Sequence, residues 1–182
     1  MRTRKIILTG LFAALTAIGA FIRIPTPISS FTLQVFFTCM AGLLLGPGLG
    51  AASQAVYVLL GLVGLPIFTQ GGGFSYVTQP TFGFLLGLIP AAWVAGMIAR
   101  RGAASFWRLL LACLAGTAAV YVIGLPYMHC ILRFYLNKTW SIQQTVMGGM
   151  VIFLPWDMLK AIVASLLAKK LLPTLHKVGL QY

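Results

Sequence analysis

Phe153-Leu154-Pro155-Trp156-Asp157-Met158-Leu159-Lys160 contains the only acidic residue of a 182-residue chain that carries thirteen lysines and arginines. Asp157 lies inside an apolar run, and Lys160 follows one helical turn later. An ionised side chain in hydrocarbon costs roughly 2.5–3.5 kcal/mol on insertion scales unless it is paired or faces a cavity. A chain that otherwise excludes carboxylates keeps one where it is most costly, which makes Asp157 the leading candidate for function. Pro155 disfavours helix at Leu154, so the last apolar segment is expected to break there. Its second half then starts near Trp156 and places Asp157 in a first helical turn. Free N–H groups and the helix dipole stabilise a carboxylate there by ~0.3–1 kcal/mol.

Working outward, hydrophobic residues make up 60% of the chain and charged residues 8%, against roughly 45–50% and 25% in soluble domains. With a mean hydropathy of +0.98, the composition is that of an integral membrane protein. The net charge of +12 does not mark a nucleic-acid binder, because the cations sit at the ends of apolar segments. The three cysteines, Cys39, Cys113 and Cys130, follow no metal spacing and imply no disulfide framework. Arg2, Arg4 and Lys5 ahead of an apolar run look superficially like a signal peptide. The run continues to Ile22 without a cleavage site, so a retained first helix is expected.

Helix 1 is read over residues 5–22, ended by Pro25 and Pro27. Its small residues recur at helical spacing, Gly10 with Ala14 and Ala13 with Ala17. Such pairs let another helix approach closely in lipid, inside the bundle or from another subunit. A polar-tinged extended loop over residues 25–34 leads into helix 2 (32–45), which ends at Gly46-Pro47-Gly48; helix 3 follows over 51–62. Both are shorter than the ~20 residues a straight span needs, which leaves room for a cavity. Residues 64–83 form a loop with three consecutive glycines (71–73) and the aromatics Phe68, Phe74 and Tyr76, read as a lid or pocket wall. Helix 4 is expected over 81–99 and helix 5 over 106–125, ended before Pro126. An interfacial segment is read over 127–140, and a last helix ending before Pro173. Nine cations (Arg2, Arg4, Lys5, Arg100, Arg101, Arg108, Lys169, Lys170, Lys177) then lie on the side of the N-terminus. Three (Arg23, Arg133, Lys138) lie on the other side. The expectation is one all-α domain over 1–182, an integral membrane bundle of six transmembrane helices with both termini cytoplasmic.

From Pro155 to Leu172 an α-helix rises about 26 Å. Asp157 is therefore expected near the outer rim of the membrane, with Lys160 one turn deeper. An i, i+3 ion pair alone would satisfy both charges, yet a buried pair is a weak source of net stability. A pair with spare hydrogen-bonding capacity beside a Gly-rich loop suits a polar ligand. An enzyme is disfavoured. There is no second carboxylate for an acid pair or an Asp-rich metal site. Neither His129 nor His176 sits in a ligand or nucleophile motif. A Walker sequence is absent, so ATP-driven work must come from a partner.

Several motifs resemble the BioY family of biotin transporters, the substrate-capturing S-components of energy-coupling-factor (ECF) transporters. They are Phe31-Thr32-Leu33-Gln34, Ala41-Gly42-Leu43-Leu44-Leu45-Gly46-Pro47, Gly61-Leu62-Val63-Gly64-Leu65-Pro66-Ile67-Phe68, Gln79-Pro80-Thr81-Phe82-Gly83-Phe84, Ile89-Pro90-Ala91-Ala92 and Leu154-Pro155-Trp156-Asp157-Met158-Leu159-Lys160-Ala161. The resemblance covers nearly the whole chain. Two departures stand out: Trp156 replaces a usual glycine, and Gln79-Pro80-Thr81-Phe82-Gly83 replaces a frequent Gly-Pro-Thr-Gly-Gly. The resemblance implies six helices in a prokaryotic plasma membrane and outward-facing capture of biotin. It also implies coupling to a transmembrane T-component with two ATP-binding subunits, ATP being bound only by those partners. Ala13 and Ala17 would serve the T-component contact. Membrane lipid is a further partner and a homo-oligomer stays open; no cofactor, metal or nucleic acid is implied for this chain.

On that basis Asp157 is expected to accept from the ureido N–H groups and Lys160 to donate to a ligand oxygen. That oxygen is either the ureido carbonyl or the carboxylate, for which Arg23 is an alternative partner. Gln34, Gln70, Gln79 and Tyr76 are candidates for the remaining contacts. The competing readings are an S-component for another small vitamin and a proton-coupled secondary transporter.

Overall fold

The structure, a computed structural model, describes residues 2–25, 30–102 and 104–177. Its elements run α1 (Arg2–Phe21), β1 (Arg23–Pro25), β2 (Ser30–Thr32), α2 (Gln34–Leu45), α3 (Pro47–Leu62), a 3-10 turn (Phe74–Thr78), α4 (Phe82–Ala99), α5 (Phe106–Cys130), α6 (Ile142–Val146) and α7 (Leu154–Lys177). π turns follow α5 (Ile131–Tyr135) and α6 (Met147–Val151). Four stretches are long and apolar enough to cross a membrane: Thr3–Phe21, Phe82–Ala99, Phe106–Tyr135 and Ile142–Leu175. Helices α2 and α3 are shorter apolar helices of 12 and 16 residues. With this composition the chain is a multi-pass membrane protein.

Three sequence expectations are corrected. Helix α5 runs straight through Pro126 to Cys130, and α7 runs through Pro173 to Lys177. Proline is tolerated inside membrane helices, where neighbouring helices and local π adjustments satisfy the freed carbonyls. The break in the last segment lies upstream of Leu154, at the π turn and residues 152–153. Pro155 instead occupies the first turn of α7, where its missing N–H costs nothing. Finally, β1 and β2 pair antiparallel, Arg23 opposite Thr32 and Ile24 opposite Phe31. Residues 26–29 of the loop read there lie outside the described residues.

Small residues set how closely the helices approach. Helices α4 and α5 form the most extensive pair, and a Cβ on Gly87 would stand 2.8 Å from Cα of Val120. Along α7 the buried positions are Asp157, Ala161, Ala164, Ser165 and Ala168. That stripe at helical period packs on α2 and α5 and carries Asp157 inward at its first turn. Between α2 and α3, Gly46 adopts φ +83°, a region open chiefly to glycine. The Arg100 guanidinium donates to the Leu45 carbonyl at 3.0 Å, satisfying an end of α2. A fully buried polar cluster joins α1, α2 and α3. In it Thr38 Oγ1 donates to Gln54 Oε1 at 2.9 Å, Thr16 Oγ1 reaches the same oxygen at 3.3 Å, and Gln54 Nε2 donates to Ser53 Oγ at 3.0 Å.

Candidate binding site

The first turn of α7 presents the two charges side by side. Lys160 Nζ lies 2.5 Å from Asp157 Oδ1 and donates to the Thr32 carbonyl of β2 at 3.0 Å. The Tyr121 hydroxyl of α5 donates to Asp157 Oδ2. Asp157 is 7% exposed. Each carboxylate oxygen has a second lone pair, and the ammonium has a third proton, so the satisfied pair keeps capacity for one more partner on each side.

A chain of hydrogen bonds leads away from it. Thr32 Oγ1 donates to Gln34 Oε1 (3.0 Å), Gln34 Nε2 to the Tyr57 hydroxyl (2.9 Å), and Tyr57 to the Ile67 carbonyl (3.0 Å). Ile67 lies in the Gly-rich loop over residues 64–83, read from sequence as a lid or pocket wall. Phe68 anchors the lid. Its ring is 1% exposed, lies edge-on to Tyr57 at 5.5 Å and near Tyr76 at 4.7 Å, and fills space left by Gly61, where a Cβ would overlap it. Tyr76 and Thr69 share a 2.9 Å hydrogen bond, and the Tyr127 hydroxyl donates to the Val77 carbonyl.

These elements enclose a polar cavity of about 80 Å³. Asp157, Lys160, Gln34, Gln70 and Tyr76 all line it, so five of the six residues read from sequence as ligand contacts converge. Gln79 is exposed and is not part of the lining. Sequence reasoning missed Tyr121, Thr117, Thr32, Thr69 and Thr81, which also line it; Thr117 and Tyr121 share a helical face four residues apart, a signal the register of α5 carried. Trp156 is half exposed, its ring centroid 6.0 Å from that of Phe31 and tilted 58° to it. Together with Arg23 it lines a second groove of about 400 Å³, which meets the polar cavity at Thr32 and Lys160.

A larger space, about 750 Å³, lies between α5 and the α6–α7 region. It is lined almost wholly by apolar side chains such as Leu114, Val122, Leu125, Val146 and Met158, and meets the polar cavity only at Thr117, Tyr121 and Asp157. A binding site needs convergent polar groups as well as volume, so the smaller cavity is the candidate. Among the described residues no group of three or more His, Cys, Asp or Glu could hold a metal.

On α1, Ala13 is 4% exposed and packs with Tyr57 and Val58, and Ala17 packs against the same cluster. The small residues left on the outward face are Gly10 and Ala14.

Comparison with known proteins shows the family. The chain is 44% identical over 170 residues to a probable biotin transporter BioY of Lysinibacillus sphaericus, covering 93% of this chain and 87% of that protein. It is 37% identical to the biotin transporter BioY of Thermotoga maritima, over 92% and 95% of the two chains. These relatives are transporters, not enzymes. The fold matches the crystal structure of the S-component for biotin from an ECF-type ABC transporter, with a TM-score of 0.81 at 23% identity over 93% of this chain and 91% of that one. The BioY family model matches residues 1–177, and the chain belongs to the BioY family.

Proposed function

We propose that this chain is a biotin-binding S-component, which captures biotin from outside the cell and passes it inward with an ATP-driven ECF module. The observation that carries the reading is the buried Asp157–Lys160 pair facing the polar cavity. It offers an acceptor and a donor 2.5 Å apart, the complement of a cyclic urea edge on which N–H and C=O are neighbours. Asp157 then accepts a ureido N–H and Lys160 donates to the ureido carbonyl. The neighbouring carboxylate makes Lys160 a poor sole partner for an anionic tail. Arg23, exposed in a different groove, is not its partner in this arrangement. Gln34 and Tyr76 shape the wall, Gln70 reaches its rim, and Gln79 acts from outside the lining.

The four long helices with α2 and α3 make six crossings in this reading. Both termini face the cytoplasm of a prokaryotic plasma membrane, following the cation distribution. The transmembrane partner subunit docks on the outward small face of α1 at Gly10 and Ala14. Ala13 and Ala17, turned inward, set the close packing behind that face. ATP stays on two partner subunits.

Isothermal titration of the purified chain with biotin, in the presence and absence of riboflavin and thiamine, tests the ligand. Saturable binding is expected that neither competitor displaces. Displacement by either vitamin would reassign the substrate. Uptake in vesicles that holds without ATPase partners and follows the proton gradient would replace the ECF reading with secondary transport.

A further inference from the structure

Thr81 Oγ1 is, among the described residues, the buried side-chain polar atom that lacks a hydrogen-bond partner. Thr81 lines the polar cavity and stands at the start of α4 without capping it, its backbone already helical at φ −83° and ψ −9°. Its carbonyl accepts from Phe84 N at 3.1 Å, so the carbonyl is satisfied while the hydroxyl is not. Leaving a buried hydroxyl unpaired is unfavourable, and native structures retain such a group mainly where a ligand or water completes it. Four hydroxyls nearby are committed: Thr69 to Tyr76, Thr32 to Gln34, Tyr57 to Ile67 and Tyr121 to Asp157.

We infer that Thr81 is a ligand-positioning residue whose hydroxyl donates to the carboxylate of the bound ligand's tail. The inference rests on biotin placing its ureido ring at Asp157 and Lys160. An anion is repelled by Asp157, and the cavity's one lining cation is already neutralised by it. The tail therefore goes to neutral donors on other elements, which Thr81 of α4 and Gln70 of the lid supply. The field there is favourable too, because the start of an 18-residue helix favours negative charge. Thr81 would then separate carboxylate-bearing ligands from neutral ones of the same ring.

Thr81→Val keeps the shape and removes the donor; Thr81→Ser keeps the donor, and Thr81→Ala replaces valine if that variant misfolds. Each is titrated with biotin and with an analogue that has the same bicyclic ring and an alkyl tail without the carboxylate. A hydrogen bond to a charged group accounts for roughly a tenfold or larger change in affinity. Thr81→Val is expected to lose at least that much for biotin and threefold or less for the analogue, with Thr81→Ser close to the parent protein. The melting temperature of ligand-free Thr81→Val should be unchanged or raised, since no unpaired hydroxyl is then buried, whereas a purely structural role would lower it. Unchanged biotin affinity in Thr81→Val overturns the assignment. An equal loss for both ligands places the hydroxyl on the ring and overturns it as well. Full biotin affinity in Asp157→Asn removes the ring placement itself, and that result is read on a different residue.

Discussion

Replacing Asp157 by asparagine changes almost no volume and removes one charge. The Tyr121 hydroxyl keeps an oxygen to donate to. Lys160, with its side chain 13% exposed, is left with only the Thr32 carbonyl and faces an amide that can turn a donor toward it. Breaking a buried pair from one side costs about 3–5 kcal/mol when the remaining charge is stranded. Here the cost lies below that range, because Lys160 keeps one hydrogen bond. Removing both charges, as Asp157→Asn with Lys160→Met, leaves nothing stranded and should restore most of the melting temperature. Affinity behaves differently. Truncating one partner of a buried hydrogen-bonded charge costs about 2–5 kcal/mol of binding, roughly a 30-fold loss or more at ~1.4 kcal/mol per decade. The double variant recovers none of it, because the urea edge has lost its charged acceptor and its donor. Biotin calorimetry and thermal melts of the three proteins separate the two effects. Biotin affinity of Asp157→Asn within threefold of the parent, or a double variant that binds like the parent, would refute the reasoning.

Gly61→Val places side-chain atoms where the Phe68 ring now lies, so the ring must leave its socket. Stopped-flow release of a fluorescent biotin conjugate should be at least tenfold faster, and an unchanged rate would mean that Phe68 does not hold the lid. Gln54→Leu removes the acceptor of Thr38 and Thr16; Thr16 still donates to the Phe12 carbonyl at 2.8 Å, so one hydroxyl is orphaned. A loss of about 1–3 kcal/mol is expected, read as a lower melting temperature with biotin affinity retained, and equal stability would contradict the polar cluster's role. Cys130 is exposed while Cys39 and Cys113 are buried. A membrane-impermeant maleimide should therefore label intact cells at Cys130 alone; labelling only after permeabilisation would invert the proposed topology.

Asp157 was legible because a membrane makes a lone carboxylate conspicuous, and its inward direction follows from the Ala161, Ala164, Ser165 and Ala168 stripe that shares its face. Trp156 illustrates the same register in reverse: one residue earlier on the helix is about 100° of rotation, which carries the indole to the outer groove. Tyr121 and Thr81 were harder to see. A hydroxyl inside an apolar helix has no compositional signature, and its partner comes from another element. The helix end at Pro126 was misread because the rule that proline stops a helix belongs to water-exposed helices. In the membrane, ending the helix would expose more backbone than the proline does.

The cavity's size then decides which part of the fold must yield. About 80 Å³ holds several waters at ~10–15 Å³ each, and it is well below the ~300–1,000 Å³ of pockets that enclose a small molecule. A bicyclic ring therefore has to widen it. Moving α7 would pull Ala161, Ala164 and Ala168, each at most 3% exposed, out of their close packing against α2 and α5. Interiors packed to that density resist displacement by even a methylene's worth of volume. The lid has far less to lose. Leu65, Gln70 and Phe74 are exposed, and the ties that hold it include the Phe68 socket, Tyr57 on Ile67, Tyr127 on Val77 and the Gly73 N–H on the Gly61 carbonyl at 2.7 Å. Three of those ties are single hydrogen bonds, each a net contribution of about 1 kcal/mol, and the first of them ends the chain that starts at Lys160. A ligand oxygen that takes the third proton of Lys160 joins that chain at its far end. The charged pair proposed to hold the ring is thus connected, through Thr32, Gln34 and Tyr57, to the loop proposed to admit it.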